Sequence, residues 1–360
     1  MSYLNKRPMT ISDIARLSGV SKRTVSRVIN NSPKVNKETR EKVQSIIDDL
    51  KYRPNVQARG LAARRSYFLG MIYDNPDGLY IDEVQRGVLS VCRESGYELV
   101  IHPCDKNSDT LTSEAIAFVD RSKLDGVIVL PPISEDNDLA GALGKDNVHY
   151  VRLASIALDT ADHVVVSNER SAVAAMAEYL VELGHRRIGY VAGPEGRKST
   201  RERLEGFCDA LAKHRCAPCR EMITRGAYTF ESGRECGRAL LEMSTPPTAI
   251  FASNDEMAAG VINAAQDLGL QVPEDVSVAG FDDSALATRI RPSLTTIRRP
   301  VREMARLATT KLIASIDGRK DEARMGIFLD PVLIVRNSTR SIQPVSDEKK
   351  SSPTRRLERS

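Results

Sequence analysis

Apolar positions recur at helical spacing near the start of the chain and gather into short β-branched runs through most of the rest. Residues 10–30, TISDIARLSGVSKRTVSRVIN, place Ile14, Ala15, Leu17 and Val20 on one side of a first short helix. Val25, Val28 and Ile29 line one side of a second. Thr10 reads as the N-cap of the first helix, with Asp13 complementing the free amides of its first turn. Gly19 stands where a helix ends in left-handed backbone, and Ser21 caps the second helix, 22–30. After a turn at Asn31-Ser32-Pro33, a third helix is predicted from about Asn36 to Leu50. Its Val43, Ile46, Ile47 and Leu50 close a three-helix core, and Tyr52-Arg53-Pro54-Asn55 breaks it.

Beyond residue 67 the period changes. Strand-like runs at 68–73, 97–101, 126–130, 149–153, 164–166, 188–192, 248–252 and 276–281 alternate with helical patterns near 81–95, 109–122, 168–183, 200–213, 230–242 and 255–268. Such alternation predicts parallel sheets covered by helices on both faces. The span is too long for one comfortable sheet, so two lobes with a cleft between them are expected.

Charge sharpens this division. Residues 1–66 hold 15 Lys and Arg against 5 Asp and Glu, whereas 67–340 hold 32 against 40. A basic head on an acidic body points to a polyanion met by the head alone. The outer face of the second helix carries Lys22, Arg23, Ser26, Arg27 and Asn30, side chains that reach phosphates and base edges in a major groove. A helix-turn-helix follows, with Lys22 and Arg23 reading bases and Ser26 and Arg27 supporting them. Hydrophobic residues make up 41% and charged residues 28%, with no apolar run of membrane-spanning length and no apolar leader in MSYLNKRPMT. The expected location is the cytoplasm. Cysteines 92, 104, 208, 216, 219 and 236 form no disulfide scaffold; the single Cys216-Ala217-Pro218-Cys219 pair lacks a second pair for zinc and reads as a surface loop. No metal site is expected.

The run T-I-x-D-I-A-x-x-x-G-V-S-x-x-T-V-S-R-V-I-N, then T-R-E-K-V from Thr39, Y-x-P-N from Tyr52 and Leu61-Ala62, resembles the LacI/GalR repressors over some sixty residues. The resemblance implies a fold of class α/β: a small all-α helix-turn-helix domain (1–54) and a hinge helix (55–66). These lead to a two-lobed, doubly wound sensor domain (67–340) like a periplasmic binding protein. The N-lobe is expected at about 67–167 and 301–328, the C-lobe at about 168–300 and 329–340, with a disordered tail at 341–360. It also implies base reading by Lys22, Arg23 and Arg27, and backbone contacts by Thr10, Ser21, Thr24, Asn30, Tyr52 and Asn55. Leu61 would wedge into the minor groove at the centre of a palindromic operator, paired with its copy in a homodimer. Ala58 and Ala62 are small enough for two hinge helices to approach. The competing reading of Leu61 is simple helix packing.

For the sensor, Gly193-Pro194 with Ser199, Arg203 and Gly206-Phe207 matches the family's G-P-x-x-x-x-S-x-x-R-x-x-G-F motif. Ser199 and Arg203 are therefore effector candidates. Asn254, in Ala252-Ser253-Asn254-Asp255, and Asp282, in Gly280-Phe281-Asp282-Asp283, match strand-end motifs; an Arg203–Asp282 ion pair would be the structural alternative. Asp74 and Tyr80 occupy the first strand-to-helix loop, and Arg299 lies where the chain recrosses between lobes. At Leu130 and Ala154 the chain departs from the amide and acid that sugar-binding members often carry. Nearby Arg152 offers positive charge instead, so an anionic effector and a neutral sugar held from the other lobe both stay open.

The function expected is a sequence-specific transcriptional repressor of catabolic genes, controlled by a sugar or sugar derivative, with no cofactor and no membrane contact. A transport receptor is disfavoured by the basic head. An enzyme is disfavoured because neither a phosphate-cradling loop nor a nucleophile elbow is present, and no catalytic residue stands out.

Overall fold

A computed structural model describes residues 9–29, 33–50, 52, 65–74, 78–216 and 220–342. The head comprises α1 (Ile11–Ser18), α2 (Lys22–Ile29) and α3 (Lys37–Asp49). Asp13 Oδ2 accepts from the Thr10 amide at 3.0 Å and from its hydroxyl at 2.7 Å. Gly19, at φ 69°, ends α1. Ser21 Oγ accepts from the Thr24 amide at 3.1 Å, and Asn36 Oδ1 from the Thr39 amide at 2.8 Å. Ile14, Ala15, Val25, Val28, Val43, Ile47 and Tyr52 form the core. Leu17 does not join it and is 51% exposed. Ser18 lies nearer than Leu17 to the direction that Ile14 and Ala15 share on the helical wheel. It is fully buried and donates to the Ile14 carbonyl at 2.6 Å.

The body contains two six-stranded sheets. The first holds β1 (Phe68–Tyr73), β2 (Glu98–Pro103), β3 (Gly126–Val129), β4 (His149–Ala154), β5 (Val164–Ser167) and β11 (Ile327–Leu329), in the order β11-β5-β4-β3-β1-β2 and parallel throughout. The second holds β6 (Ile188–Ala192), β7 (Ile223–Arg225), β8 (Ala249–Ala252), β9 (Ser277–Asp282), β10 (Thr295–Arg298) and β12 (Val332–Ile334), in the order β12-β10-β9-β8-β6-β7. Here β12 alone runs antiparallel, against β10.

Parallel strands covered on both sides need continuous apolar runs, and β3, β6 and β8 are buried at every residue. Helices α4 (Gly78–Ser95), α5 (Leu111–Ser122) and α6 (Asn137–Lys145) belong to the first sheet. Helices α7 (Glu169–Glu182), α8 (Lys198–Lys213), α9 (Phe230–Leu241) and α10 (Asp255–Asp267) flank the second. A short α11 (Ala285–Arg289) follows β9. The long α12 (Val301–Ile316) returns to the first sheet and packs Met304, Ala305 and Leu312 beside Leu69, Met71 and Ile128; α13 (Lys320–Arg324) precedes β11.

The sequence reading missed β7, β10, β11 and β12, and the helices α6, α11, α12 and α13. All four of those strands have three or four residues, too few for a pattern, and the apolar pattern of the continuous helix α12 is interrupted by paired threonines at 309 and 310. The expected hinge, 55–66, lies outside the described residues except for its last two. There Arg65 donates to the Ile316 carbonyl at 2.7 Å, and Ser66 donates its amide to Asp125 at 2.8 Å. The expected tail also lies outside them beyond Ile342.

Candidate functional site

Parallel strands deliver their carboxyl ends to one edge of each sheet, and the two edges face each other across a crevice. Strand ends and the loops after them supply nearly its whole lining: Pro131, Ser155 and Glu169 from the first sheet's side, and Arg197, Ser199, Arg203, Tyr228, Asn254, Asp282 and Arg299 from the second's. Tyr80, on the first turn of α4, closes it from above. The cavity measures about 60 Å³. A broader open groove of about 650 Å³ adjoins it and shares Tyr80, Asp282 and Arg299. Its own charges are engaged with each other, as in Arg302–Glu83 at 2.8 Å and Arg298–Asp283 at 2.6 Å.

At the crevice floor four charges form a chain. Arg203 Nε donates to Glu169 Oε2 at 2.6 Å, and Arg299 Nη1 donates to Glu169 Oε1 at 3.1 Å. Arg299 Nε lies 2.8 Å from Asp282 Oδ1, an ion pair without hydrogen-bond alignment. Burial by itself pushes the Glu169 carboxyl up, but the guanidinium charges of Arg203 and Arg299 outweigh it and hold the group below the usual carboxylate range. Arg203 also stacks on the Phe281 ring, with 3.9 Å between its Cζ and the centroid, while Arg299 lies over Tyr80 at 5.0 Å. The Arg203–Asp282 ion pair, the structural alternative to a role in effector binding, does not form: Arg203 pairs with Glu169, and Asp282 with Arg299.

The remaining predicted residues divide. Asn254 caps α10, accepting from the Met257 amide at 2.9 Å, and donates to the Tyr228 carbonyl at 3.0 Å. Ser199 opens α8 with its amide 3.2 Å from Glu135 Oε1. Asp74 does not line the crevice; it accepts from the Lys106 amide at 3.0 Å and ties two loops together. Arg152 does not line it either. On β4 it points with Tyr150 toward the α6 side, while Val151 and Leu153 face α4, because side chains alternate across a strand. There its guanidinium donates to the Ser134 carbonyl at 2.6 Å, Asn137 at 3.2 Å and Asp159 at 3.2 Å. Its charge is spent on holding a loop.

Glu169, Arg197, Tyr228 and Ser155 were not singled out by the sequence. Glu169 follows β5 at the very point where the chain leaves the first lobe, and an acid there was the available signal. Arg197 occupies an unspecified position within the Gly193–Ser199 motif. Gly193 itself is required, since a Cβ would stand 2.2 Å from the Tyr228 ring.

In the head, Ser21, Lys22 and Arg23 are exposed, and Thr24, Ser26 and Arg27 half-buried, on the outer side of α2. Tyr52 departs from expectation: its ring is packed into the three-helix core, and burial pushes its phenol up. Asn30, Asn55, Ala58 and Leu61 lie outside the described residues. Cys216 is buried in the core beside α8 and not on a surface loop, as Leu211 and Phe207 surround that position; Cys219 lies outside the described residues. Among the described residues, no helix is long and apolar enough to cross a membrane, and no three His, Cys, Asp or Glu side chains are grouped for a metal.

A small helical head with a basic recognition helix, followed by a doubly wound pair of lobes enclosing a polar crevice, defines a DNA-binding regulator that senses a small molecule. The comparisons agree. Residues 10–55 match the bacterial regulatory proteins of the lacI family, and residues 177–339 match the periplasmic binding protein-like domain. The chain belongs to the LacI family. It is 34% identical over 340 residues to the probable HTH-type transcriptional repressor ExuR of Bacillus subtilis (strain 168), covering 93% of this chain and 99% of that one. Among solved structures it resembles a complex of the transcriptional regulator CelR with cellobiose (TM-score 0.69, 29% identity, 92% of this chain and 100% of that one). It also resembles the lac repressor dimer bound to operator and the anti-inducer ONPF (TM-score 0.73, 27% identity, 93% and 100%). These relatives are transcriptional regulators and not enzymes.

Proposed function

We propose that this regulator is a repressor that binds a palindromic operator as a homodimer and is controlled by a sugar or sugar derivative held in the interlobe crevice. The division that goes with it is a head at 1–54, a hinge at 55–66 and a sensor at 67–340. The observation that carries the reading is the crevice itself. Strand-end side chains of both lobes converge there, with Arg203, Glu169, Arg299 and Asp282 set to accept and donate hydrogen bonds around a polyol. Ser199, Asn254 and Tyr80 complete the contacts, Tyr80 as a stacking surface. The solved CelR complex, with cellobiose, supports a carbohydrate, and the lac repressor complex supports a dimer on operator.

In the head, Lys22 and Arg23 read base edges with Arg27 and Ser26 beside them, while Thr10, Ser21 and Thr24 position the backbone. Leu61 is assigned the minor-groove wedge. Because the effector and the operator bind one allosteric unit, each changes the other's affinity by the same factor.

The test is selection of a duplex from a randomised pool by the full chain, followed by fluorescence anisotropy on the selected site. A palindrome is expected, with affinity falling steeply as salt rises. Replacing Lys22 or Arg23 by Ala is expected to cost about 1–3 kcal/mol and to relax specificity within each half-site. Leu61→Ser is expected to weaken operator binding and spare effector binding. Recovery of no palindrome, or equal binding by the Lys22 and Arg23 variants, would overturn the reading.

A further inference from the structure

Charge in the crevice does not balance. Its lining holds three guanidinium groups, Arg197, Arg203 and Arg299, against two carboxylates, Glu169 and Asp282. Arg203 has its charge balanced by Glu169 and also donates to the Ser253 carbonyl, and Arg299 is shared between Glu169 and Asp282. Arg197 differs. Among the described residues it makes no ion pair, and its recorded contact is with the face of the Tyr228 ring, 5.5 Å from Cζ to centroid. Tyr228 is in turn fixed by Thr200, whose hydroxyl lies 3.0 Å from the phenol oxygen. The cation is thus half-buried and oriented by a stacked ring, and it lines the cavity without an ion-pair partner among the described residues. The Ser199 side chain lies two residues away on the same lining.

We infer that the effector is an anionic polyol, whose single carboxylate or phosphate group is received by Arg197 while its hydroxyl groups meet the Arg203–Glu169–Arg299–Asp282 chain. The inference rests on the crevice being the effector site, as proposed above. A carboxylate brings the lining to neutrality, a phosphate of about −1.5 to −2 carries it slightly past, and a partly desolvated guanidinium gains most from a planar or tetrahedral oxyanion that it can bind through two N–H groups. A neutral sugar leaves that cation desolvated and uncompensated on closure. The guanidinium of Arg152, the cation that the sequence offered for this purpose, is engaged elsewhere, so Arg197 is the counter-ion that the crevice lining supplies.

The experiment is calorimetric titration of the full chain with glucuronate, galacturonate, gluconate and glucose 6-phosphate, beside neutral glucose and galactose. The expected result is binding of at least one anion about tenfold or more tighter than its neutral counterpart. The carboxylate and phosphate members decide between a sugar acid and a sugar phosphate. Arg197→Gln is expected to abolish the preference, and Arg197→Lys to restore part of it. Neutral sugars binding as tightly as the acids, or anion binding indifferent to Arg197→Gln, would overturn the charge assignment and leave the polyol crevice standing. Silence across the whole panel would overturn the polyol reading of the crevice, and this inference with it.

Discussion

Asp255 illustrates how a single side chain carries a condition on the whole C-terminal lobe. It begins α10, is 1% exposed, and accepts from the Thr296 hydroxyl at 2.6 Å and the Ser284 amide at 2.7 Å. Burial first, and the nearby Asp282 charge second, push its carboxyl up to about 8 against the opposing hydrogen bonds. A carboxyl raised on folding binds its proton more tightly in the native state than in the unfolded chain. Its contribution is therefore complete below the unfolded value near 4 and is lost as pH rises through about 8. Thermal melting followed from pH 5 to pH 9 is expected to show a decline that Asp255→Asn flattens, since the amide carries no charge to bury. An equal decline in the variant would show that other groups set the alkaline limit. Glu169 teaches the complementary lesson: just as buried, it stays ionised because two arginines meet it.

At the scale of elements, the close approach of α4 and α12 joins two segments more than two hundred residues apart. A Cβ built on Gly87 would stand 2.3 Å from the Arg302 carbonyl oxygen and 2.8 Å from the Ala305 Cβ. Alanine favours a helix interior over glycine by about 1 kcal/mol, so a free surface helix would be stabilised by the change. Here the overpacking cost of about 1–3 kcal/mol opposes that gain, with backbone as the obstacle. Gly87→Ala is expected to lower stability by about 1–2 kcal/mol in urea titration. Increased stability would mean that α12 shifts readily, contrary to the packing of Met304, Ala305 and Leu312 into the first sheet's core.

Across the whole molecule, one contact fastens lobe to lobe at the crevice mouth. Glu135, in the loop after β3, places its carboxylate on the N-terminus of α8, accepting the Lys198 amide at 2.8 Å and the Ser199 amide at 3.2 Å. A carboxylate from one lobe thus satisfies the free amides and the positive end of a helix in the other. Charge-assisted bonds of this kind contribute about 1.5–3 kcal/mol, enough to shift the balance between open and shut lobes by about tenfold or more. In Glu135→Ala, hydrogen–deuterium exchange over residues 196–203 is expected to accelerate by that order. Unchanged exchange there would mean that the lobes are held by other contacts.

The alternation of runs and helical patterns was enough to determine two doubly wound lobes, and the spacing from Thr10 to Leu50 was enough for the three-helix head. Both follow from local rules, since apolar periodicity, caps and turn residues act within a few positions of one another. The Gly193–Phe207 motif, through its resemblance to the family's, singled out Ser199 and Arg203, and both line the crevice. Pairings were decided by tertiary structure. Which face Arg152 turns to depends on strand parity and on the acceptors that come to meet it, the Asn137 amide of α6 and the Asp159 carboxylate. That Arg203 meets Glu169, and that Arg197 lies beside a ring and in no ion pair among the described residues, depends on three chain crossings that superpose segments distant in sequence. Short edge strands such as β7 and β11 exist because a neighbouring strand offers hydrogen bonds, a signal their own three residues do not contain.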